Sequence, residues 1–251
     1  MSDSVSSSSG AAVQAGPVLP DAQGRAAMAA RLDAIRARMA AACERAGRSP
    51  DDVVLLPVSK TFGLEHVRTA MSLGLTRFGE NKTQEIDWKA AQVHADWVMI
   101  GHLQTNKAKE AARLVSEVQS LDRLDLARAL NRRLLLEGRA IDVLVQVKTS
   151  PEPSKFGLAP DELPAFLAQL AEFDTLRVRG LMTMAVNSSD TGAVRACFRT
   201  LRQWRDRLRD QGAANLTRLS MGMSGDFELA IEEGSTEIRI GSAIFGTRTY
   251  T

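Results

Sequence analysis

Cysteine is scarce in this 251-residue chain: Cys43 and Cys197 stand far apart, and neither lies in a CxxC or Cys/His spacing. That pattern excludes a disulfide framework and a zinc site, and it fits a reducing cytosol. The three histidines, His66, His94 and His102, show no HExxH or other ligand spacing, so no metal centre is expected. No apolar run approaches the roughly eighteen residues needed to cross a bilayer. Residues 1–20, MSDSVSSSSGAAVQAGPVLP, lack the basic start and continuous apolar stretch of a secretory signal. Their Ser/Ala/Gly/Pro composition is expected to leave them as a disordered tail ahead of one domain over residues 21–251. An excess of either charge is also missing, with 32 basic and 30 acidic side chains and a formal net charge of +2. A nucleic-acid-coating surface is therefore not expected. These absences leave a soluble, cytoplasmic protein with neither a membrane nor a nucleic-acid partner, taken as a monomer.

What the chain does contain is a repeated alternation. Met28, Leu32, Ile35, Met39 and Cys43 mark one face of a first helix that stops at Gly47. An apolar run from Val53 to Lys60 reads as the first strand. Further strands are expected at Thr76–Gly79, Trp97–Ile100, Glu117–Ser120, Ile141–Val147, Arg177–Met182, Leu216–Met221 and Glu237–Ile240. Helical patterns fill the intervals, closed in several places by glycine. Eight strands alternating with helices require parallel pairing through crossovers. At this length the pattern predicts an α/β fold, a single (β/α)8 TIM barrel with an extra N-terminal helix. An open doubly wound sheet would need a Gly-rich turn after the first strand, and Ser59-Lys60-Thr61-Phe62 is not one.

Lys60 is the most informative residue. An amine at the tip of a buried strand is held in place and partly desolvated, which favours loss of its proton. A neutral amine attacks aldehydes to form a Schiff base. An isolated strand-end lysine equally fits a snorkelling anchor, so the other strand ends matter. Barrels of this kind commonly hold phosphate in the loops after strands seven and eight. Here those loops are Ser220-Met221-Gly222-Met223-Ser224-Gly225 and Arg239-Ile240-Gly241-Ser242. Glycine lets backbone N–H groups approach an anion, and serine adds a donor. Either loop alone also fits ordinary barrel punctuation. Arg239 fits a cation that keeps a heteroaromatic nitrogen unprotonated, or a buried ion pair with Glu232 or Glu237. Asn81 and His102 fit ligand contacts or helix caps. Met182-Thr183-Met184 reads as cavity wall, and the arginines from Arg195 to Arg209 as a solvated helix face.

With Val58-Ser59-Lys60-Thr61, Phe78-Gly79-Glu80-Asn81, Ile100–Lys107, Gly180-Leu181-Met182, Leu219–Asp226 and Ile238–Gly246 assembled, the chain closely resembles the pyridoxal-phosphate homeostasis family. That family comprises the YggS/PROSC-type relatives of the alanine racemase barrel domain, and the matching stretches run in order from about residue 25 to 248. The resemblance implies pyridoxal 5′-phosphate (PLP) as cofactor, held as an internal aldimine on Lys60. It further implies a binding set of Lys60, Asn81, Met221, Ser224, Arg239, Gly241 and Ser242. Two departures stand at the edge of the motifs: Phe62-Gly63 where the family often has proline, and Lys82 where an aromatic residue often follows the asparagine. A two-base racemase needs a second proton carrier opposite the lysine, in the racemase relatives a tyrosine from an added domain. This chain has one tyrosine, Tyr250, and no segment is read as such a domain. The expectation is a carrier that delivers PLP to apo-enzymes and influences amino-acid and keto-acid pools. The alternatives are a slow amino-acid racemase and a cofactor-free Schiff-base aldolase.

Overall fold

Among the described residues eight strands form, all parallel: β1 Val54–Pro57, β2 Arg77–Glu80, β3 Asp96–Met99, β4 Glu117–Leu121, β5 Ile141–Gln146, β6 Leu176–Met182, β7 Arg218–Ser220 and β8 Glu237–Ile240. They are taken from a computed structural model that describes residues 21–153 and 155–246. The expected tail over residues 1–20 and Tyr250 lie outside that range. Hydrogen-bonded neighbours run β1-β8-β7-β6-β5-β4-β3-β2. The remaining seam closes where Val58 bridges Gly79 and the Ser59 N–H donates to the Gly79 carbonyl at 3.1 Å. The (β/α)8 barrel expected from the alternation is the fold.

Nine helices are present among the described residues: α1 Ala22–Arg45, α2 Leu64–Ser72, α3 Thr83–Ala90, α4 Ala108–Leu114, α5 Leu124–Glu137, α6 Leu163–Leu170, α7 Thr191–Asp210, α8 Phe227–Glu232 and α9 Ser242–Phe245. The extra helix α1 is capped by Asp21, whose carboxylate accepts from the N–H groups of Gln23 and Gly24. Its buried stripe is the one expected from the spacing, Met28, Leu32, Ile35, Met39 and Cys43, with Ala42 added. The stripe packs on α2, α8 and α9, covering the side of the barrel where the last strand meets the first. Arg31 and Arg48 fasten it further by donating to the carbonyls of Ile244 and Ile231.

The barrel interior is not uniformly apolar. Arg77 and Arg218 each bridge Glu117 and Glu237, with all four contacts between 2.6 and 2.8 Å. Gln119 donates to both carboxylates, and the Ser220 hydroxyl donates to Gln119 Oε1 at 2.7 Å. The four ionic side chains stand on the first residues of β2, β4, β7 and β8, and so occupy the amino-terminal end of the barrel. The carboxyl half is left for a cavity.

β6 and β7 approach closely at Gly180. A Cβ built there would lie 1.9 Å from the Arg218 carbonyl oxygen, a backbone atom in the barrel wall. Gly180→Ala must therefore push two strands apart. Overpacking of this kind costs about 1–3 kcal/mol, occasionally more, so the variant is expected to melt several degrees below wild type in a calorimetric scan.

Candidate functional site

The carboxyl ends of the strands surround a cavity of about 380 Å³, within the range of roughly 300–1,000 Å³ usual for small-molecule sites. Six of the seven expected residues line it: Lys60, Asn81, Ser224, Arg239, Gly241 and Ser242. Met221 does not. Its side chain is fully buried, its N–H donates to the Glu237 carbonyl, and its carbonyl accepts from the Ser235 hydroxyl. The residue shapes the loop from below.

Lys60 is not the last residue of a strand, as the apolar run predicts. β1 stops at Pro57, Val58 makes the closing bridge, and Lys60 sits half-buried in the turn that follows. The reason lies one residue on: Thr61 has φ +68°, a left-handed conformation that ends the extended run.

The two Gly/Ser loops follow β7 and β8, on the side of the barrel where β8 pairs with β1. The backbone N–H groups of Ser224, Gly225, Gly241 and Ser242 have no acceptor among the described residues. All four residues line the cavity, two of them with hydroxyls. Asp226 ties the first loop, accepting the Met223 N–H at 2.6 Å. Unpaired donors from two adjacent loops suit an anion with several oxygens, such as a phosphate.

Arg239 projects from β8 into the same space. Nη1 donates to the Ser220 hydroxyl and Nη2 to the Thr183 carbonyl, each at 2.8 Å. Neither ion pair considered for it forms. Glu232 pairs with Arg45 and Arg195, while Glu237 reaches Arg239 only through the shared Ser220 hydroxyl. Burial pushes the guanidinium down to about 10, with Glu237 and Asp226 opposing, so it remains a cation at neutral pH.

Asn81 caps no helix: Lys82 holds the N-cap position of α3, without a side-chain cap, leaving Asn81 to line the cavity. Its position depends on Gly101, where a Cβ would stand 2.5 Å from the Asn81 carbonyl oxygen. The His102 ring stacks on Phe156 with centroids 4.0 Å apart, and its Nδ1 lies 3.7 Å from Asp122 Oδ2. Among the described residues, Lys60, His102 and Arg239 are the ionisable side chains lining this cavity. Of the two departures from the family pattern, Phe62 is buried against Phe245 and His66, while Lys82 lines an adjoining depression rather than the cavity.

Spacing alone missed Phe156 and Lys89. Phe156 is half exposed in the long connection after β5, where no periodic signal exists, and its carbonyl is held by Gln146. Lys89 sits on α3 with a side chain 1% exposed, although a lysine on an amphipathic helix normally reads as a solvent face.

Comparison with known proteins follows the same outline. The family model described as "Alanine racemase, N-terminal domain" matches residues 30–249. The chain is similar to the pyridoxal phosphate homeostasis protein of Aquifex aeolicus, 40% identical over 88% of this chain and 98% of that one. Its counterpart in Pseudomonas aeruginosa is also 40% identical, over 89% and 96% of the two chains. Among solved structures, PipY of Synechococcus elongatus with PLP bound superposes with a TM-score of 0.77 at 34% identity, covering 87% of this chain and all of that one.

Proposed function

The chain belongs to the pyridoxal phosphate homeostasis proteins, built on the alanine racemase N-terminal domain, and we propose that it binds PLP in this cavity as a reversible carrier rather than as an enzyme. The observation that carries the reading is the shared cavity: a primary amine, four unpaired backbone donors on Gly/Ser loops, and a buried cation. PLP supplies an aldehyde that takes up a primary amine with loss of water, and a ring that draws electrons from whatever is attached.

Each residue then has a distinct task. Lys60 provides the amine. Ser224, Gly225, Gly241 and Ser242 bind the phosphate through N–H and hydroxyl donors. Arg239, fixed by Ser220 and Thr183, presents a permanent charge that keeps a nearby ring nitrogen unprotonated, because two adjacent cations repel. An unprotonated ring is a weaker electron sink, which restrains chemistry on a bound amine. Asn81 orients the ligand from the β2 side, and the His102–Phe156 stack covers it.

Racemisation would need a proton carrier on each face. With Arg239 held as a cation, His102 is the remaining candidate besides Lys60 among the described lining residues, and Asp122 behind it favours a slow racemase as the second reading. Incubating the PLP-loaded protein with L- and D-alanine in deuterated water separates the two. The carrier reading expects α-deuterium incorporation no faster than with free PLP, together with transfer of PLP to an added apo-enzyme. Stereochemical inversion at a useful rate, lost in His102→Ala, would overturn it. The proposed setting is the cytoplasm, with effects on amino-acid and keto-acid pools following from cofactor supply. Among the described residues no helix is long and apolar enough to cross a membrane.

A further inference from the structure

Beneath the Lys60 turn lies a second lysine, whose ammonium meets Ser59, Glu80 and Glu85, none of which lines the cavity. Lys89 Nζ donates to the Ser59 carbonyl at 2.8 Å and to Glu80 Oε1 at 2.6 Å, and stands 3.6 Å from Glu85 Oε2. Glu80 Oε1 also accepts the Ser59 hydroxyl at 2.6 Å, and Glu85 Oε2 accepts the Thr61 N–H at 2.8 Å. Ser59 and Glu80 are fully buried, and Lys89 is 1% exposed. The residue before Lys60 is thus gripped at its carbonyl and its hydroxyl, and the residue after it at its N–H. All three ties run through Lys89 or a carboxylate that Lys89 contacts.

The arrangement is costly for a purely structural anchor. Buried ion pairs are commonly matched or bettered in stability by apolar side chains of the same volume. Glu80 Oε2 is buried without a hydrogen-bond partner among the described residues. Thr61 is the one non-glycine with positive φ among the described residues. Such a conformation costs on the order of 1–3 kcal/mol and persists where its surroundings over-determine it, typically beside functional groups. Here the over-determining contacts are those three ties together with the Phe62 N–H, which donates to the Ser59 carbonyl at 3.1 Å and closes the turn, and the residue they flank is Lys60.

We propose that Lys89 is a positioning residue: through Ser59, Glu80 and Glu85 it fixes the backbone on both sides of Lys60 and so aims the Lys60 amine into the cavity. The proposal rests on the reading of that cavity as a PLP site. In the step it serves, the Lys60 nitrogen bonds the aldehyde carbon, and the aldehyde oxygen leaves as water after taking up the two protons the amine gives up. An amine held in line for that attack reacts faster than one free to sample other directions, and a displacement of about 1 Å can cost on the order of 10²-fold.

Two ligands separate aiming from general structure. PLP needs the amine, whereas pyridoxine 5′-phosphate carries an alcohol in place of the aldehyde and needs only the phosphate and ring contacts. Two variants are compared with wild type: Lys89→Met, and Glu85→Ala, which alters only a partly exposed carboxylate and secures the test should Lys89→Met not fold. Stopped-flow mixing with PLP is expected to show the visible band rising roughly 10- to 100-fold more slowly in each variant that folds. Pyridoxine 5′-phosphate affinity by calorimetry should be unchanged, and Lys89→Arg should recover part of the rate. Unchanged band kinetics in the folded variants would overturn the inference, as would a parallel loss of both ligands, which is the signature of a merely structural role. A wild type that binds pyridoxine 5′-phosphate but never develops a visible band with PLP would instead remove Lys60 as the attachment point, and this inference with it.

Discussion

Lys60→Ala should turn a protein that is yellow in the presence of PLP into one with no more visible absorbance than free PLP under the same conditions. Lys60 is the primary amine among the described residues lining the cavity, so its removal leaves the ligand with hydrogen bonds and charge alone. The expected loss of affinity is at least about 100-fold, or roughly 2.7 kcal/mol. Ser242→Ala provides the scale for comparison. It removes one hydroxyl and leaves the N–H in place, for a cost of about 1 kcal/mol or roughly fivefold. Equilibrium dialysis and absorbance spectra of the three proteins, with folding checked by circular dichroism, measure both numbers. A visible band that survives in Lys60→Ala at wild-type intensity would show that another amine holds the cofactor. Lys60 would then be an anchor of the turn and no more.

The strand-end logic that singled out Lys60 was legible because it is local. Apolar runs mark strands, strand order assigns loops to one face of a barrel, and Gly/Ser composition marks the loops that suit an anion. That reasoning brought Ser224, Gly241 and Ser242 to one cavity with Lys60. It failed where the decisive contact is non-local. The left-handed φ of Thr61 has no signature in the sequence, since threonine rarely adopts it, and it moved Lys60 from a strand tip into a turn. Lys89 reads as a helix-surface lysine until α3 is laid against the β1 and β2 ends, where its ammonium finds a carbonyl and a carboxylate. Met221 is a different case. It belongs to the same loop as Ser224, but its side chain is fully buried and does not line the cavity.

The same non-local logic governs the charged layer within the barrel, where the largest effect on stability is expected. Burial pushes the Glu237 carboxyl up, but the guanidinium groups of Arg77 and Arg218 outweigh it and hold the group below the usual glutamate range. Glu237→Ala deprives both arginines of one of their two carboxylates and takes a partner from Gln119 and Ser220. Breaking one side of a buried ionic network costs about 3–5 kcal/mol, a large share of the 5–15 kcal/mol typical of a folded domain. A pH dependence accompanies it. Because the folded-state pKa is depressed, the contribution is fully present above the unfolded value of about 4.3 and is lost as pH falls through the folded one. Urea melts across the acid range should therefore show wild-type stability falling below about pH 4–5, with a shallower fall in Glu237→Gln. Equal slopes would mean that Glu237 is not the titrating group. Since Ser220 joins this layer to Arg239, the melts should be paired with PLP titrations at neutral pH. A loosened Arg239 in Glu237→Gln would weaken PLP binding while leaving any visible band in place, placing the effect at the Arg239 end of the cavity and not at Lys60.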